Sequence, residues 1–170
     1  MEKLYHFSED PGISRFVPRL HPSHPELAPA VWAIDEAHAP MYFLPRDCPR
    51  IAYHQLPDST EDDVRRFLGL TAAQKVIAIE NRWYTTIKET TLYQYTFSPD
   101  SFYCLDKQAG YYLSHEAVEA EDMQPLGDLI GELSEAGVEL RFTPSLLPLQ
   151  EALHSSSLHF SMIRMRNAIL

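Results

Sequence analysis

The stretch MYFLPRDCPRIAYH (residues 41–54) constrains the fold of this 170-residue sequence more than any other segment. Pro45 and Pro49 exclude a helix through it, because proline lacks the backbone N–H that a helix interior requires. Residues 42–44 therefore have the pattern of a short strand that Pro45 ends. Residues 50–54 then have the pattern of the next strand, so the two prolines predict a tight connection between two extended segments.

Outward from this stretch, several segments show the apolar alternation or the continuous apolar run of a β-strand. The near-continuous apolar run KVIAIE (75–80) predicts a central strand, since both of its faces would be covered. Residues 30–36 fit either a buried strand or a short helix. The other predicted strands are residues 4–8, 90–97, 102–106, 108–114 and 138–142.

Helical signals lie in the middle and at the end of the sequence. The clearest is STEDDVRRFLG (59–69), which has a Ser or Thr cap, acidic residues in its first turn and Gly69 as its stop. This order of elements predicts an α+β fold in a single domain, residues 1–170, with antiparallel-rich sheets and helices at its C-terminal end. The other predicted helices are residues 81–89, 125–137, 143–155 and 157–170.

Composition and charge narrow the class of protein. Hydrophobic residues make up 45% of the chain, an ordinary share for a globular domain. No apolar run approaches the roughly 18 residues that cross a bilayer, and the N-terminal sequence lacks a signal-peptide core. We therefore expect a cytoplasmic protein with no membrane contact. The net charge of −10 argues against a broad nucleic-acid surface.

Four arginines stand out in this acidic chain, because all of them lie in proline-bounded, non-helical segments: Arg15, Arg19, Arg46 and Arg50. The planar guanidinium group pairs in a bidentate way with phosphate or carboxylate. Arginines that converge on one pocket would therefore hold a nucleotide or another small phosphorylated ligand. The alternative is that they are surface arginines paired with the many acidic residues of the chain.

Four other side chains are candidates for a site, and each has a structural alternative. His6 could donate to a ribose hydroxyl or a phosphate, with Ser8 on the same face of its strand, or it could be a core histidine. Tyr42 could stack on a base or a nicotinamide, or be a core aromatic residue. Glu116 could stabilise a ribosyl cation, as glycosidase carboxylates do, or simply be solvated. The spacing of the histidines and cysteines predicts no metal site.

Resemblance to known families adds to this interpretation. The strand LYHFS, the stretch YFLPRDCP and the segment HEAVEAEDMQPLGDL are similar, in this order, to segments of the DNA-modifying ADP-ribosyltransferase toxins. RNA 2′-phosphotransferases, a related group, rely on a histidine and several arginines instead. Nearly the whole chain also resembles a bacterial domain family of unknown function, through LYHFSEDPGISRFVPR, VWAIDEAHAPMYFLPRDCPRI, GYYLSHEAVEAEDMQPLGDL and SSLHFSMIRMRNA.

The toxin resemblance implies an ADP-ribosyltransferase-like fold that transfers ADP-ribose from its substrate NAD, and the similarity to RNA 2′-phosphotransferases implies action on a phosphorylated nucleotide or RNA. His6 would hold a ribose hydroxyl, Tyr42 would stack on the base, and Glu116 would be the catalytic carboxylate. Arg46 and Arg50 would be anion clamps stiffened by their prolines. Two alternatives stay open: a non-catalytic binding module for a small phosphorylated ligand, and a structural or interaction protein. The implied cleft is lined by His6, Ser8, Arg15 or Arg19, Tyr42, Arg46 and Glu116.

Overall fold

A computed structural model describes residues 2–169 of the chain. The chain divides into two compact units, and each unit is built from two separated segments. Unit 1 comprises Met1–Phe43 and Thr91–Gly127, and unit 2 comprises Leu44–Thr90 and Asp128–Leu170. The first boundary therefore lies inside the proline-rich stretch MYFLPRDCPRIAYH. The assignment of the chain to a single domain stays a prediction.

Strands and helices both occur within residues 2–169, so the α+β class is confirmed. In chain order the strands are β1 (Leu4–Ser8), β2 (Val31–Asp35), β3 (Arg50–His54), β4 (Lys75–Glu80), β5 (Leu92–Phe97), β6 (Tyr103–Asp106), β7 (Tyr111–Ser114), β8 (Asp122–Leu126), β9 (Val138–Thr143) and β10 (His159–Ile163). The α-helices are α1 (Glu61–Asp63), α2 (Tyr84–Glu89), α3 (Leu129–Glu135) and α4 (Leu147–His154). In the described part of the chain, every helix falls short of the length and apolar character needed to cross a membrane.

Unit 1 contains a six-stranded antiparallel sheet with the order β6-β7-β2-β1-β5-β8. The predicted strand over residues 4–8 is confirmed as β1, and residues 30–36 resolve into strand β2 rather than a helix. Phe16 lies outside the sheet and packs its ring against one face of it, with its centroid 4.9 Å from that of Phe97. The core on this face consists of Leu4, Phe16, Val31, Ala33, Tyr95 and Phe97.

Unit 2 contains a four-stranded sheet with the order β10-β3-β4-β9. The KVIAIE segment forms the interior strand β4, as its continuous apolar run predicts, and both Val76 and Ile77 are fully buried. β4 pairs antiparallel with β3 and parallel with β9. One core cluster of this unit includes Ile51, Tyr53, Phe67, Val76, Leu146 and Leu153.

The prediction of a helix over residues 157–170 is wrong. Residues His159–Ile163 form strand β10, which pairs antiparallel with β3 and places His159 opposite His54. Phe160 and Met162, two residues apart on this strand, both pack against the core. A short apolar run of this kind fits a strand or a helix equally well when its pairing partner is unknown. The open edge of β3 supplies that partner, so helices do not fill the C-terminal end of the chain.

Two other predicted elements have different boundaries. Residues 42–44 are not a strand, because Tyr42 ends the 3-10 turn Ala39–Tyr42, which has Pro40 in its first turn, and residues 43 and 44 form a bend. The helix predicted over residues 125–137 begins later, since residues 125–126 still belong to β8 and Asp128 caps α3 by accepting from the Gly131 backbone N–H at 3.0 Å.

The helix predicted over residues 59–69 is confirmed in part. Thr60 caps it by accepting from the Asp63 backbone N–H, and Gly69 follows its last turn with a φ of 63°. Only α1 is α-helical, however, and residues Val64–Leu68 form a π-helical turn. The capping signals therefore located the helix, whereas its hydrogen-bond pattern was not visible in the sequence.

Gly110 in unit 1 is a position where the backbone conformation requires glycine. Its φ is 74°, in the region that side chains with a Cβ rarely adopt. A Cβ at this position would also overlap the His38 imidazole and lie 2.8 Å from Asp35 Oδ1. These two side chains are themselves paired, with His38 Nδ1 2.6 Å from Asp35 Oδ1. Gly110 can therefore lie this close to Asp35 and His38 only because glycine has no side chain.

We expect Gly110→Ala to lower the free energy of unfolding by about 3 kcal/mol, because it adds both backbone strain and steric overlap. Gly127→Ala is the matched control in the same unit, since a Cβ there meets no atom within 4 Å and its φ is not positive. Urea denaturation of the two variants measures the difference. An equal, small effect of both substitutions would contradict this account of Gly110.

Candidate functional site

The structure places two of the predicted ligand-binding residues of unit 1 on opposite sides of β1. The His6 ring packs against Phe16, with the two centroids 5.0 Å apart, and its Nδ1 lies 3.2 Å from the Trp32 carbonyl oxygen. The Tyr42 ring instead stacks against Phe7, on the other face of β1, because successive side chains of a strand alternate. His6 and Tyr42 are therefore not brought to one surface of the sheet.

Two other residues predicted to bind the ligand, Arg15 and Glu116, lie on segments of unit 1 that are hydrogen-bonded to each other. The backbone N–H of Phe16 donates to the Val118 carbonyl at 2.8 Å, which joins the segment of Arg15 to that of Glu116. Both of these charged side chains are exposed. Phe16 also contacts His6, so these segments meet around one aromatic ring.

Two further side chains that the sequence analysis placed in the site also belong to unit 1. Ser8 lies two residues from His6 on β1 and is half-buried, and its Oγ accepts from the Asp10 backbone N–H at 3.1 Å. Arg19 is exposed, and its backbone pairs with that of Ala30. The ligand-binding roles of Ser8 and Arg19 stay predictions.

Arg46 and Arg50, the two arginines of the proline-rich stretch, belong to unit 2. Arg46 is exposed, whereas Arg50 is only 2% exposed. The Arg50 guanidinium donates through Nε to the Cys48 carbonyl at 2.9 Å and through Nη2 to the Pro45 carbonyl at 2.6 Å. These bonds hold the turn that precedes β3. The burial of Arg50 therefore does not fit the predicted role of an anion clamp, which must be accessible to its ligand.

A polar recess of about 380 Å³ lies on unit 2. Its walls come from three parts of the chain: the turn before β3, the 3-10 turn Asn81–Trp83 that follows β4, and the 3-10 turn Met165–Asn167 that follows β10. The lining residues are Asp47, Arg82, Trp83, Arg166 and Asn167.

The buried carboxylate of Glu80, at the end of β4, fixes the walls of this recess. Its side chain has no exposed surface, and Oε2 accepts from Arg82 Nε at 2.9 Å. Oε1 accepts from the Ile169 backbone N–H at 2.8 Å. Arg82 also donates through Nη2 to the Asn167 carbonyl, and Asn167 Nδ2 donates to the Asp47 carbonyl at 2.8 Å. The three parts of the chain are thus joined by one hydrogen-bond network.

Donor groups predominate in the recess. Arg82 and Arg166 carry positive charge, and the guanidinium of Arg82 lies 5.9 Å from the Trp83 ring centroid. The Trp83 indole Nε1 is buried and has no hydrogen-bond partner among residues 2–169. An environment of this kind suits a ligand rich in acceptor oxygens. Over the same residues, no three His, Cys, Asp or Glu side chains are grouped so as to hold a metal ion.

The sequence alone predicted no role for Arg82, Trp83, Arg166 or Asn167. One signal was present, because the polar NRW triplet (81–83) directly follows the buried strand KVIAIE. Residues 165–167 gave no such signal, since they do not follow a recognisable buried strand in the sequence. Only the pairing of β10 with β3 brings them to the end of β4.

Cys48 lies beside this network and is fully buried. Burial raises the pKa of its thiol to about 12, because desolvation disfavours the thiolate. The positive charges of Arg50 and Arg82 act in the opposite direction but do not compensate for the burial. Cys48 is therefore an inert core thiol, whereas Cys104 in unit 1 is exposed.

We expect iodoacetamide at pH 8 to alkylate Cys104 but not Cys48 in the folded protein. The thiolate is the reactive form, and with a pKa of about 12 it would be roughly one part in 10,000 of the Cys48 population at this pH. Mass spectrometry of the labelled chain measures the outcome, with urea-unfolded protein as the control in which both cysteines react. Labelling of Cys48 in the native state at the rate of Cys104 would contradict this assignment.

No curated protein and no solved structure matches this chain. A family of unknown function, DUF6886, matches residues 5–168. This match confirms the predicted resemblance to a domain family of unknown function over nearly the whole chain. The more distant resemblance to ADP-ribosyltransferase folds stays a prediction. The chain therefore belongs to the family of unknown function DUF6886.

Proposed function

We propose that this protein binds a small phosphorylated ligand and that the recess of unit 2 receives the phosphate. The observation that carries the proposal is that two guanidinium groups, those of Arg82 and Arg166, line the same recess. Guanidinium groups form short, charge-assisted hydrogen bonds with phosphate oxygens. The recess is open to solvent and mostly polar, so it would contact only part of a ligand, such as its phosphate group.

The fixed position of Arg82 supports this function. Its Nε is held by the buried Glu80 carboxylate and its Nη2 by the Asn167 carbonyl. The remaining N–H groups of the guanidinium can donate to a ligand. Since the side chain is already ordered, binding costs less side-chain entropy than it would for a mobile arginine.

Arg166 complements Arg82 in a different way. Its side chain is exposed, and it forms no hydrogen bond or ion pair with any other residue in the range 2–169. A phosphate held by Arg82 would give this guanidinium a partner. The Trp83 ring provides an aromatic wall beside the two arginines.

We expect Arg166→Gln to weaken the binding of a phosphorylated ligand about 10- to 100-fold, because one charge-assisted contact is lost. Isothermal titration calorimetry with pyrophosphate, AMP and ADP-ribose measures the dissociation constants. Arg65→Gln is the matched control, since Arg65 is exposed in the same unit and pairs only weakly with Asp62 at 3.6 Å. Absence of binding to all three probes, or equal weakening by both substitutions, would reject the proposal.

Transfer of ADP-ribose from NAD is a second candidate function, located in unit 1. The observation that favours it is the meeting of three segments around Phe16, which contacts His6, follows Arg15 and pairs with Val118. Val118 lies two residues after Glu116, whose carboxylate is exposed to a substrate. The resemblance to ADP-ribosyltransferase toxins implies the roles of His6 and Glu116 in this reaction.

For this second function we expect nicotinamide release from NAD, and we expect Glu116→Gln to slow it about 100-fold or more, because the substitution removes the charge that would stabilise the ribosyl cation. Chromatography of nicotinamide measures the rate. Glu119→Gln is the control, since Glu119 is another exposed acid of the same segment. No release by the unmodified protein, at any NAD concentration up to the millimolar range, would exclude this function.

A further inference from the structure

Two opposite charges line the recess of unit 2 without pairing to each other. Asp47 and Arg166 both belong to its walls, but neither takes part in the ion pairs within 4.0 Å that residues 2–169 form. Within the described residues, neither side-chain charge has a hydrogen-bond partner. Because both side chains are exposed, solvent weakens their mutual attraction, and each can bind a separate group of one ligand.

The position of Asp47 is fixed by its backbone rather than by its carboxylate. Asn167 Nδ2 donates to the Asp47 carbonyl oxygen at 2.8 Å, which ties the turn before β3 to the turn after β10. The carboxylate itself is left exposed. The network therefore holds Asp47 at the recess while keeping its side-chain oxygens available.

An ionised carboxylate accepts hydrogen bonds and donates none. It would repel a second anion, so a bare phosphate in the recess would gain from the arginines and lose to Asp47. The occupant that satisfies both sides carries phosphate oxygens at one end and a hydrogen-bond donor at the other.

We propose that the ligand is a sugar phosphate and that Asp47 selects it by accepting a hydrogen bond from a sugar hydroxyl. This inference rests on the proposed phosphate-binding function of the recess. Arg82 and Arg166 hold the phosphate, and the Asp47 carboxylate binds a hydroxyl a few bonds away. The ribose phosphate part of a nucleotide belongs to the same chemical class.

The test compares ligands that differ only in their hydroxyl groups. We expect ribose 5-phosphate to bind at least ten times more tightly than n-pentyl phosphate, which has a five-carbon chain and no hydroxyl donor. We expect Asp47→Ala to abolish this preference while the affinity for inorganic phosphate stays the same or rises. Calorimetric titration of the full chain gives all of these dissociation constants.

Asp58→Ala is the matched control, since Asp58 is an exposed acid of unit 2 that does not line the recess. It should leave the ratio of the two affinities unchanged. Because the Asp47 network runs through its backbone carbonyl, Asp47→Ala should keep the melting temperature of the unmodified protein, and this measurement verifies that the variant is folded.

The outcomes separate this inference from the proposed function. Equal binding of ribose 5-phosphate and n-pentyl phosphate would overturn the role of Asp47 and leave phosphate binding intact. Tighter binding of phosphoethanolamine than of ribose 5-phosphate would also overturn it, because an amine would then be the donor. Failure of every probe, including inorganic phosphate, would overturn both proposals.

Discussion

The buried carboxylate of Glu80 is the constraint on which the organisation of unit 2 depends. A charge with no exposed surface costs several kcal/mol unless partners compensate for its lost hydration. Here the partners are Arg82 and the backbone N–H of Ile169, so the interior strand can end in a charge only if both are in place. This requirement draws the segment after β10 to the end of β4. The polar recess is the surface on which the two segments meet.

A second buried charge, the Arg50 guanidinium, is compensated in a different way. Its partners are backbone carbonyls of the turn before β3, among them that of Pro45. Arg50 lies opposite Ile79, the neighbour of Glu80 in β4, so adjacent strands carry the two buried charges of opposite sign. Two features therefore stiffen the proline-rich stretch. The rings of Pro45 and Pro49 restrict its backbone, and the buried Arg50 guanidinium binds its carbonyl groups. This explains why Arg50 occurs there in an acidic chain.

Local signals in the sequence predicted much of the fold. The interior position of KVIAIE followed from its unbroken apolar run, and the caps of residues 59–69 located a helix. β10 could not be recognised, because its five residues fit a strand or a helix equally well and only their pairing with β3 decides for the strand.

The candidate site could not be predicted for the same reason, since it depends on contacts between distant segments. Arg82 and Arg166 are far apart in the sequence, and neither lies in a motif. The burial of Arg50 was not visible in the sequence, because it depends on backbone carbonyls that only the folded turn brings around the guanidinium.

The strand order of the four-stranded sheet has a consequence for synthesis of the chain. Its two inner strands, β3 and β4, leave the ribosome well before the two outer ones, and all of the second segment of unit 1 is translated in between. During that interval the apolar pair of strands β3 and β4 presents two unprotected edges, and such edges tend to pair with other nascent chains. Translation speed over residues 81–163 therefore sets how long strands β3 and β4 wait for both of their neighbours, β9 and β10.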